Sequence, residues 1–131
     1  MKQATDRPPF PFVKDGLSVF DSITTNALSS ALDGLALRQR TIAQNIANVN
    51  TPGYHAKVVS FEKALAASVD AGDGTAVAVT TTSQAPTQQN GNNVSLDSET
   101  LDNIETVLRY QFATRAVGMD FDATRAALKT S

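Results

Sequence analysis

Two long stretches of the chain place apolar residues at the intervals of an amphipathic helix. In the first stretch the spacing alternates between four and three residues, which is typical of the seam between two helices of a coiled coil. This pattern predicts a helix over residues 18–50, about 50 Å long at 1.5 Å per residue. Ser18 and Asp21 fit a capping box at its start. The apolar seam positions are Leu28, Leu32, Leu35, Ile42, Ile46 and Val49, and the polar Gln39 occupies the remaining place in the seam.

The second stretch predicts a C-terminal helix over residues 95–128. Its apolar positions recur at close to the 3.6-residue period of an α-helix. Ser95 or Asp97 can cap its start, and Asp97, Glu99 and Asp102 place negative charge where the helix dipole favours it. The two long helices are expected to pair with each other, antiparallel or nearly so. The large apolar positions of the second helix are Leu101, Ile104, Leu108, Phe112 and Met119.

Residues 51–94 are predicted to form a short, irregular middle segment. Val58 and Val59 favour an extended piece, residues 60–69 a short helix, and residues 76–80 a possible short strand. Residues 80–93 are rich in Thr, Gln, Asn and Ser without periodicity, which predicts a mobile loop. The predicted fold class is therefore mainly α, with two long terminal amphipathic helices paired as a coiled coil.

The first sixteen residues differ in character from the rest of the chain. Pro8, Pro9 and Pro11 oppose a helix interior and favour extended geometry. Residues 1–16 are therefore predicted to be a disordered, proline-rich leader, followed by a single domain over residues 17–131.

Composition narrows the possible functions. The chain has 131 residues and 41% hydrophobic content, yet only 6 Phe, 2 Tyr and no Trp, which suits helices that bury narrow stripes against partners. Its formal charge of −2, with scattered basic residues, gives no nucleic-acid footprint. Apolar runs fall short of a membrane span, and the absence of Cys excludes disulfides.

Candidate catalytic chemistry is sparse. His55 is the single histidine, so a pair of His ligands for a metal is impossible. We predict no catalytic, cofactor-binding or metal-binding residues, and no nucleic acid or small-molecule substrate as a partner. An enzyme is therefore not expected.

The most specific local pattern is the run from Ile42 to Tyr54, which reads IAQNIANVNTPGY. Pro disfavours helical geometry in the residue before it, so the helix should end near Asn50. Pro followed by Gly predicts a type II turn, in which the Gly takes a positive φ. The asparagine amides can either satisfy open backbone groups of a neighbouring subunit or cap their own helix. The candidate corner residues are Asn45, Asn48, Asn50, Thr51, Pro52, Gly53 and Tyr54.

This run resembles the N-terminal signature of the bacterial flagellar axial proteins, which form the rod, the hook and the hook–filament junction. About forty residues separate the two predicted helices, which points to the short rod proteins rather than to those with large inserted domains. Residues 90–99, from Asn90 to Glu99, read NGNNVSLDSE. This run resembles the start of the C-terminal helix in the proximal rod (FlgB) family. The resemblance covers residues 18–70 and 90–128, and the proline-rich leader departs from it.

The resemblance implies a structural subunit of the proximal rod that assembles into the torque-transmitting shaft and forms part of the export channel. It implies export by the flagellum-specific secretion system without a cleaved signal peptide, and a place in the basal body within the cell envelope. The implied partners are other rod proteins, the adaptor that joins rod to ring, the membrane ring, the export gate and further copies of the chain itself. The alternative is a secreted or cytosolic helical-hairpin adaptor.

Overall fold

The computed structural model describes residues 12–129 and is mainly helical, as the sequence predicts. In chain order the elements are the helix α1 (Phe12–Ala47), the strand β1 (Lys57–Ser60), the helix α2 (Glu62–Asp70), the strand β2 (Val79–Thr82) and the helix α3 (Leu96–Lys129). Among the described residues, no helix combines the length and apolar character that crossing a membrane requires.

The helix α1 begins earlier than the sequence pattern predicts. It starts at Phe12 rather than Ser18, so Ser18 lies inside the helix and the predicted cap there is wrong. The last leader proline is Pro11, and nothing after it removes a backbone donor until Pro52. The part of the predicted leader over residues 12–16 is thus helical, while residues 1–11 lie outside the described part. At its other end α1 stops at Ala47, and residues 48–50 form turns.

The helices α1 and α3 pair antiparallel, which confirms the predicted pairing. Near one end, the hydroxyl of Thr25 on α1 donates to the carboxylate of Asp120 on α3 at 3.3 Å. Near the other end, the amide of Asn45 donates to the carboxylate of Glu99 at 3.1 Å. Since the residue numbers rise along α1 as they fall along α3, the two helices run in opposite directions.

The core lies where the middle segment packs on the centre of α1. Leu35, Val59 and Phe61 are buried against one another, and Ala113 of α3 packs on this cluster. The Phe61 ring lies directly over Gly34, where any side chain would have to occupy the same space as the ring. The apolar seam of α1 therefore contacts α3 along only part of its length, because β1 and the start of α2 pack against the rest.

Only part of the predicted α1 seam is fully buried. Leu35 and Ile42 are buried, whereas Leu28, Leu32, Ile46 and Val49 are half-buried. Gln39 is exposed. The polar residue predicted within the seam thus lies on its solvent side.

The predicted seam of α3 faces away from α1, so that part of the prediction is wrong for a single chain. The residues of α3 that are buried towards α1 are Glu99 and Thr106, and Ala113 is partly buried on the core. Periodicity locates an apolar stripe but does not tell which neighbour covers it, because a subunit of an assembly has more than one buried face. The large apolar residues left exposed are Leu101, Ile104, Leu108, Phe112 and Met119.

The middle segment is more ordered than its composition predicts. β1 and β2 pair antiparallel, with Lys57 opposite Thr82 and Ser60 opposite Val79. The predicted strand over residues 76–80 is shifted to Val79–Thr82, and the short helix begins at Glu62. Residues 80–93 are not a wholly mobile loop, since their start lies in β2 and their end is buried.

Candidate functional site

The segment that singles out this chain folds into a corner, here defined as residues 45–57 and 90–99, where α1 ends and α3 begins. The backbone N–H of Tyr54 donates to the carbonyl of Thr51 at 3.2 Å, and Gly53 has φ of 73°. These values confirm the predicted type II turn, with Pro52 at its second position. The N–H of Gly53 also donates to the carbonyl of Asn90 at 2.9 Å, which ties the turn to the approach of α3.

We predict that Gly53→Val destabilises the corner by about 1–3 kcal/mol, the usual cost of a strained backbone position. No atom lies within 4 Å of the place where a side chain would begin, so the cost arises from the positive φ rather than from a clash. Gly53→Asn is the matched control, because Asn tolerates the left-handed region. Urea unfolding of both variants measures the difference, and an Asn variant as unstable as the Val variant would contradict this explanation.

Asn45 is the central side chain of the corner and is only 1% exposed. Its amide nitrogen donates to the carbonyl of Lys57 at 2.8 Å and to the carboxylate of Glu99 at 3.1 Å. Its amide oxygen accepts from the N–H of Lys57 at 2.9 Å and from the hydroxyl of Tyr54 at 3.2 Å. One side chain therefore joins the end of α1, the start of β1 and the first turn of α3.

The other asparagines of the predicted site lie at the surface of the turn. The Asn48 amide donates to the carbonyl of Gln44 at 2.8 Å, and its oxygen accepts from the hydroxyl of Thr51 at 3.1 Å. Asn50 and Pro52 are exposed. Asn45 and Asn48 thus bond to the backbone of their own chain rather than to a neighbouring subunit. Of these three asparagines, Asn50 is the one whose side chain is exposed.

Two further asparagines complete the corner, and the sequence pattern did not predict their burial. Asn92 has no exposed surface, and its amide nitrogen donates to the carbonyls of Asn48 at 2.9 Å and Thr51 at 2.8 Å. Its oxygen accepts from the N–H of Val94 at 2.7 Å. Asn92 thereby satisfies carbonyls that the end of α1 leaves open.

Asn93 fixes the opposite side of the same loop. Its amide nitrogen donates to the carbonyls of Ser83 and Ala85, both at 3.1 Å, and its oxygen accepts from the N–H of Ala56 at 2.6 Å. Consecutive asparagines next to a glycine were the available signal, but such a run is also typical of an exposed loop. The partner that ties Asn93 to the end of the turn, Ala56, lies 37 residues away in the sequence, so the local pattern does not reveal it.

A charged cluster beside the corner joins α1, α2 and α3, and the sequence pattern did not predict it. The guanidinium of Arg38 pairs with Glu62, donates to the carbonyl of Val59 at 2.9 Å and lies 4.9 Å from the centre of the Phe61 ring. Arg109 of α3 lies 3.8 Å from the same Glu62 carboxylate. The hydrogen bond from Arg38 lowers the pKa of Glu62 to about 2, although partial burial opposes the shift.

Glu99 has the opposite electrostatic setting. Burial raises its pKa above the ordinary value of 4.5, and the neighbouring Asp102 adds to the rise, while the hydrogen bond from Asn45 opposes it. Among the side chains of residues 22–129, none forms an ion pair with this carboxylate. Folding therefore favours the neutral form of Glu99.

We predict that Glu99→Gln raises the thermal midpoint at pH 7 relative to the natural chain. Because the folded pKa is raised, the stabilising contribution of Glu99 is complete below about pH 4.5 and is lost as the pH rises through the folded value. Gln stays neutral, and its oxygen can still accept from Asn45. Thermal unfolding between pH 3 and pH 8 should show a difference that disappears at low pH.

Glu62→Gln is the control, and its effect on stability at pH 7 should be opposite to that of Glu99→Gln. The pKa of Glu62 is lowered, so its contribution is present above pH 4.5 and is lost as the pH falls towards about 2. Glu62→Gln should therefore be less stable than the natural chain at pH 7, and the two should have similar thermal midpoints near pH 2. If the thermal midpoints of Glu99→Gln and Glu62→Gln changed with pH in the same way, the opposite pKa shifts assigned to the two residues would be wrong.

The predicted corner residues thus meet at one end of the helix pair, whereas the seam residues of α1 and α3 lie on different faces. The corner's amide groups contact the chain's own backbone, so their chemistry is that of fixing a bend. His55 is exposed next to the turn. No group of three His, Cys, Asp or Glu able to hold a metal occurs among the side chains of residues 22–129.

Comparison with known proteins shows which proteins this helix and corner resemble. A family model described as "Flagella basal body rod protein" matches residues 26–55, which run from the middle of α1 through the turn. The chain is also 29% identical over 126 residues to the flagellar basal body rod protein FlgB of Bacillus subtilis (strain 168). The chain is thus similar to flagellar basal-body rod proteins, in its corner segment and along most of its length. The similarity to the Bacillus protein covers 86% of this chain and 97% of that relative.

Proposed function

We propose that this chain is a structural subunit of the proximal, FlgB-type part of the flagellar rod, where it helps to form the shaft that transmits torque and encloses the export channel. The observation that carries the proposal is the family segment, residues 26–55, together with the similarity to FlgB along most of the chain. The resulting activity is mechanical and needs no cofactor. Nothing in the fold or the comparisons favours a separate helical-hairpin adaptor.

The exposed face of α3 suits a subunit of an assembly better than an isolated protein. Phe112 is 62% exposed and Met119 is 72% exposed, although both belong to one apolar face of the helix. Contiguous apolar surface of this kind typically marks a site of protein association. Its burial by neighbouring subunits would stabilise the assembled state at about 25 cal/mol per Å².

The corner supplies the stiffness that a load-bearing subunit needs. Asn45 and Asn92 hold the turn, β1 and the first turn of α3 through bonds from buried side chains. The charged cluster of Arg38, Glu62 and Arg109 adds a second connection between the long helices. Torque applied to one helix would therefore be transmitted to the other at this end without a change in their angle.

We propose that the chain lies in the flagellar basal body, in association with other basal-body components; the matched family model and the Bacillus relative, both described as basal-body rod proteins, support this. We propose more specifically that it contacts other rod proteins, a small rod-to-ring adaptor, the membrane ring and the export gate. We also propose that it is exported through the flagellar secretion system without a cleaved signal peptide.

Deletion of the gene and labelling of its product test the proposed function. We expect the deletion strain to be non-motile and to lack hooks and filaments, while the membrane ring still forms. A labelled chain should be recovered in isolated basal bodies, and a plasmid copy of the natural gene, as control, should restore motility. Complete hooks on the deletion strain would overturn the proposal.

A further inference from the structure

A cleft beside the corner, here called the Glu99 cleft, lies where α1, β1 and the start of α2 meet the first turns of α3. It encloses about 260 Å³ and is lined by four carboxylates and three basic side chains. The side chains of Glu62, Glu105 and Arg109, which line it, are about half exposed. The cleft is therefore open to a group from another molecule.

Four of the charges that line the cleft are paired with one another. Glu62 pairs with Arg38 of α1, and its carboxylate lies 3.8 Å from the guanidinium of Arg109. Arg109 also pairs with Glu105, one turn before it on α3. Two carboxylates thus balance two guanidinium groups, and these four residues leave no net charge in the cleft.

The other three charged groups of the cleft have no ionic partner. Among the side chains of residues 22–129, none forms an ion pair with Glu99, Asp102 or Lys57. Glu99 and Asp102 are three residues apart on α3 and so share one face of the helix. The repulsion between them contributes to the raised pKa of Glu99. Two unpaired negative charges therefore stand against one unpaired positive charge.

Two buried polar atoms on this face of α3 also lack a hydrogen bond. Oε1 of Glu99 accepts from the amide of Asn45 at 3.1 Å, but no donor among residues 22–129 reaches its Oε2. Thr106 is 2% exposed, and its hydroxyl has no partner in the same range. Over those residues, every buried polar side-chain atom that is sealed from solvent has a hydrogen-bond partner. Both atoms are therefore not sealed, and they can be reached from the cleft that their residues line.

We propose that the Glu99 cleft binds the guanidinium of an arginine side chain on a partner protein, with Glu99 and Asp102 as its paired carboxylates and the Thr106 hydroxyl as a further acceptor. A guanidinium carries five N–H donors in one plane, which suits several acceptors on one face. It is also more weakly hydrated than an ammonium group, so it enters a partly buried site at a smaller desolvation cost. The inference goes beyond the proposed function, because it depends on the cleft alone.

Two other occupants of the cleft fit the structure less well. The carboxylates are not arranged to hold a metal, since no group of three metal-binding side chains occurs over residues 22–129. Lys57 of the same chain lines the cleft, but its side chain is exposed and pairs with neither Glu99 nor Asp102. Its ammonium group would repel an incoming cation rather than replace it.

Titration of the full-length chain with N-acetyl-arginine amide, followed by two-dimensional NMR of the backbone amides at pH 7, tests the proposal. The signals of residues 57–62 and 99–109 should shift and saturate with a dissociation constant of roughly a millimolar, as expected for so small a ligand. N-acetyl-citrulline amide is the matched control, because it has nearly the same shape without the charge. It should produce no saturable shifts, and N-acetyl-lysine amide should bind more weakly than the arginine compound.

Three variants locate the binding group on the protein. Glu99→Gln and Asp102→Asn should each weaken binding of the arginine compound by about tenfold, the effect expected for one charged hydrogen bond. Asp122→Asn, on the same helix but outside the cleft, should leave the affinity unchanged. Lys57→Met should bind at least as tightly as the natural chain, because a repelling charge is removed.

The spectra of the variants also show whether each one is folded. The proposal is overturned if no saturable shift appears up to about 50 mM of the arginine compound, since the expected affinity is far tighter. It is equally overturned if citrulline or lysine compounds bind as well, if Glu99→Gln and Asp102→Asn bind like the natural chain, or if Lys57→Met binds more weakly. None of these outcomes affects the proposed place in the rod, which the deletion strain tests separately.

Discussion

Leu35→Asp is expected to cost more than about 3 kcal/mol of unfolding free energy, enough to leave a large part of the chain unfolded. Leu35 is 3% exposed and packs on Val59 and Phe61. A carboxylate there would lose its hydration without gaining a partner. The basic side chain one turn away, Arg38, is already paired with Glu62.

Chemical denaturation with urea, followed by circular dichroism, measures the loss. Lys63→Asp is the control, since Lys63 is exposed on α2 and its charge reversal should change stability by about 0.5 kcal/mol or less. In cells, the Leu35 variant should be absent from isolated basal bodies while the Lys63 variant is incorporated. Equal stabilities of the two variants would show that the core does not lie at the centre of α1.

Gly34→Ala is expected to destabilise the chain by about 1–3 kcal/mol, although the same change usually stabilises a helix by up to about 1 kcal/mol. The added methyl group would lie 2.5 Å from an atom of the Phe61 ring. The Arg38 guanidinium lies 4.9 Å from the centre of this ring, and Leu35 and Val59 are buried with Phe61 in the same cluster. To make room, the Phe61 ring or the backbone of α1 would have to shift, which would disturb the packing of the core.

Gly118→Ala provides the matched control on α3. No atom lies within 4 Å of the place where its methyl group would be, so this variant should gain the usual helix stabilisation. The two substitutions are chemically identical and both lie inside long helices, so opposite signs isolate the contact with Phe61. A Gly34 variant with an unchanged or raised urea midpoint would contradict the packing described here.

Local signals predicted those features of the fold that depend on neighbours in sequence. The heptad spacing around Leu35 and Ile42 predicted α1 and its buried face, and Pro52 followed by Gly53 predicted the type II turn. These features follow from backbone sterics and from the period of the helix. The predicted start of α1 at Ser18 is too late, because the prolines oppose a helix only up to Pro11 and the helix begins at Phe12.

Features that depend on distant partners were not predictable from the pattern. Asn92 looks like a loop residue until the carbonyls of Asn48 and Thr51 are brought to it by the fold. Arg38 looks like an exposed basic residue until Glu62 and Phe61 pack on it. The residues of α3 that face α1 are Glu99, Thr106 and Ala113, none of which is a large apolar residue. The large apolar residues of α3 therefore indicated the opposite, exposed face of the helix.

The asparagine network gives the two ends of the helix pair different local stabilities. Near Asn45 and Asn92, backbone amides are held by buried side chains, and their exchange with solvent requires most of the fold to open. At the other end, residues 121–129 of α3 are all exposed. Opening therefore begins at the end far from the corner, and a neighbouring chain could insert between the helices there without breaking the bend.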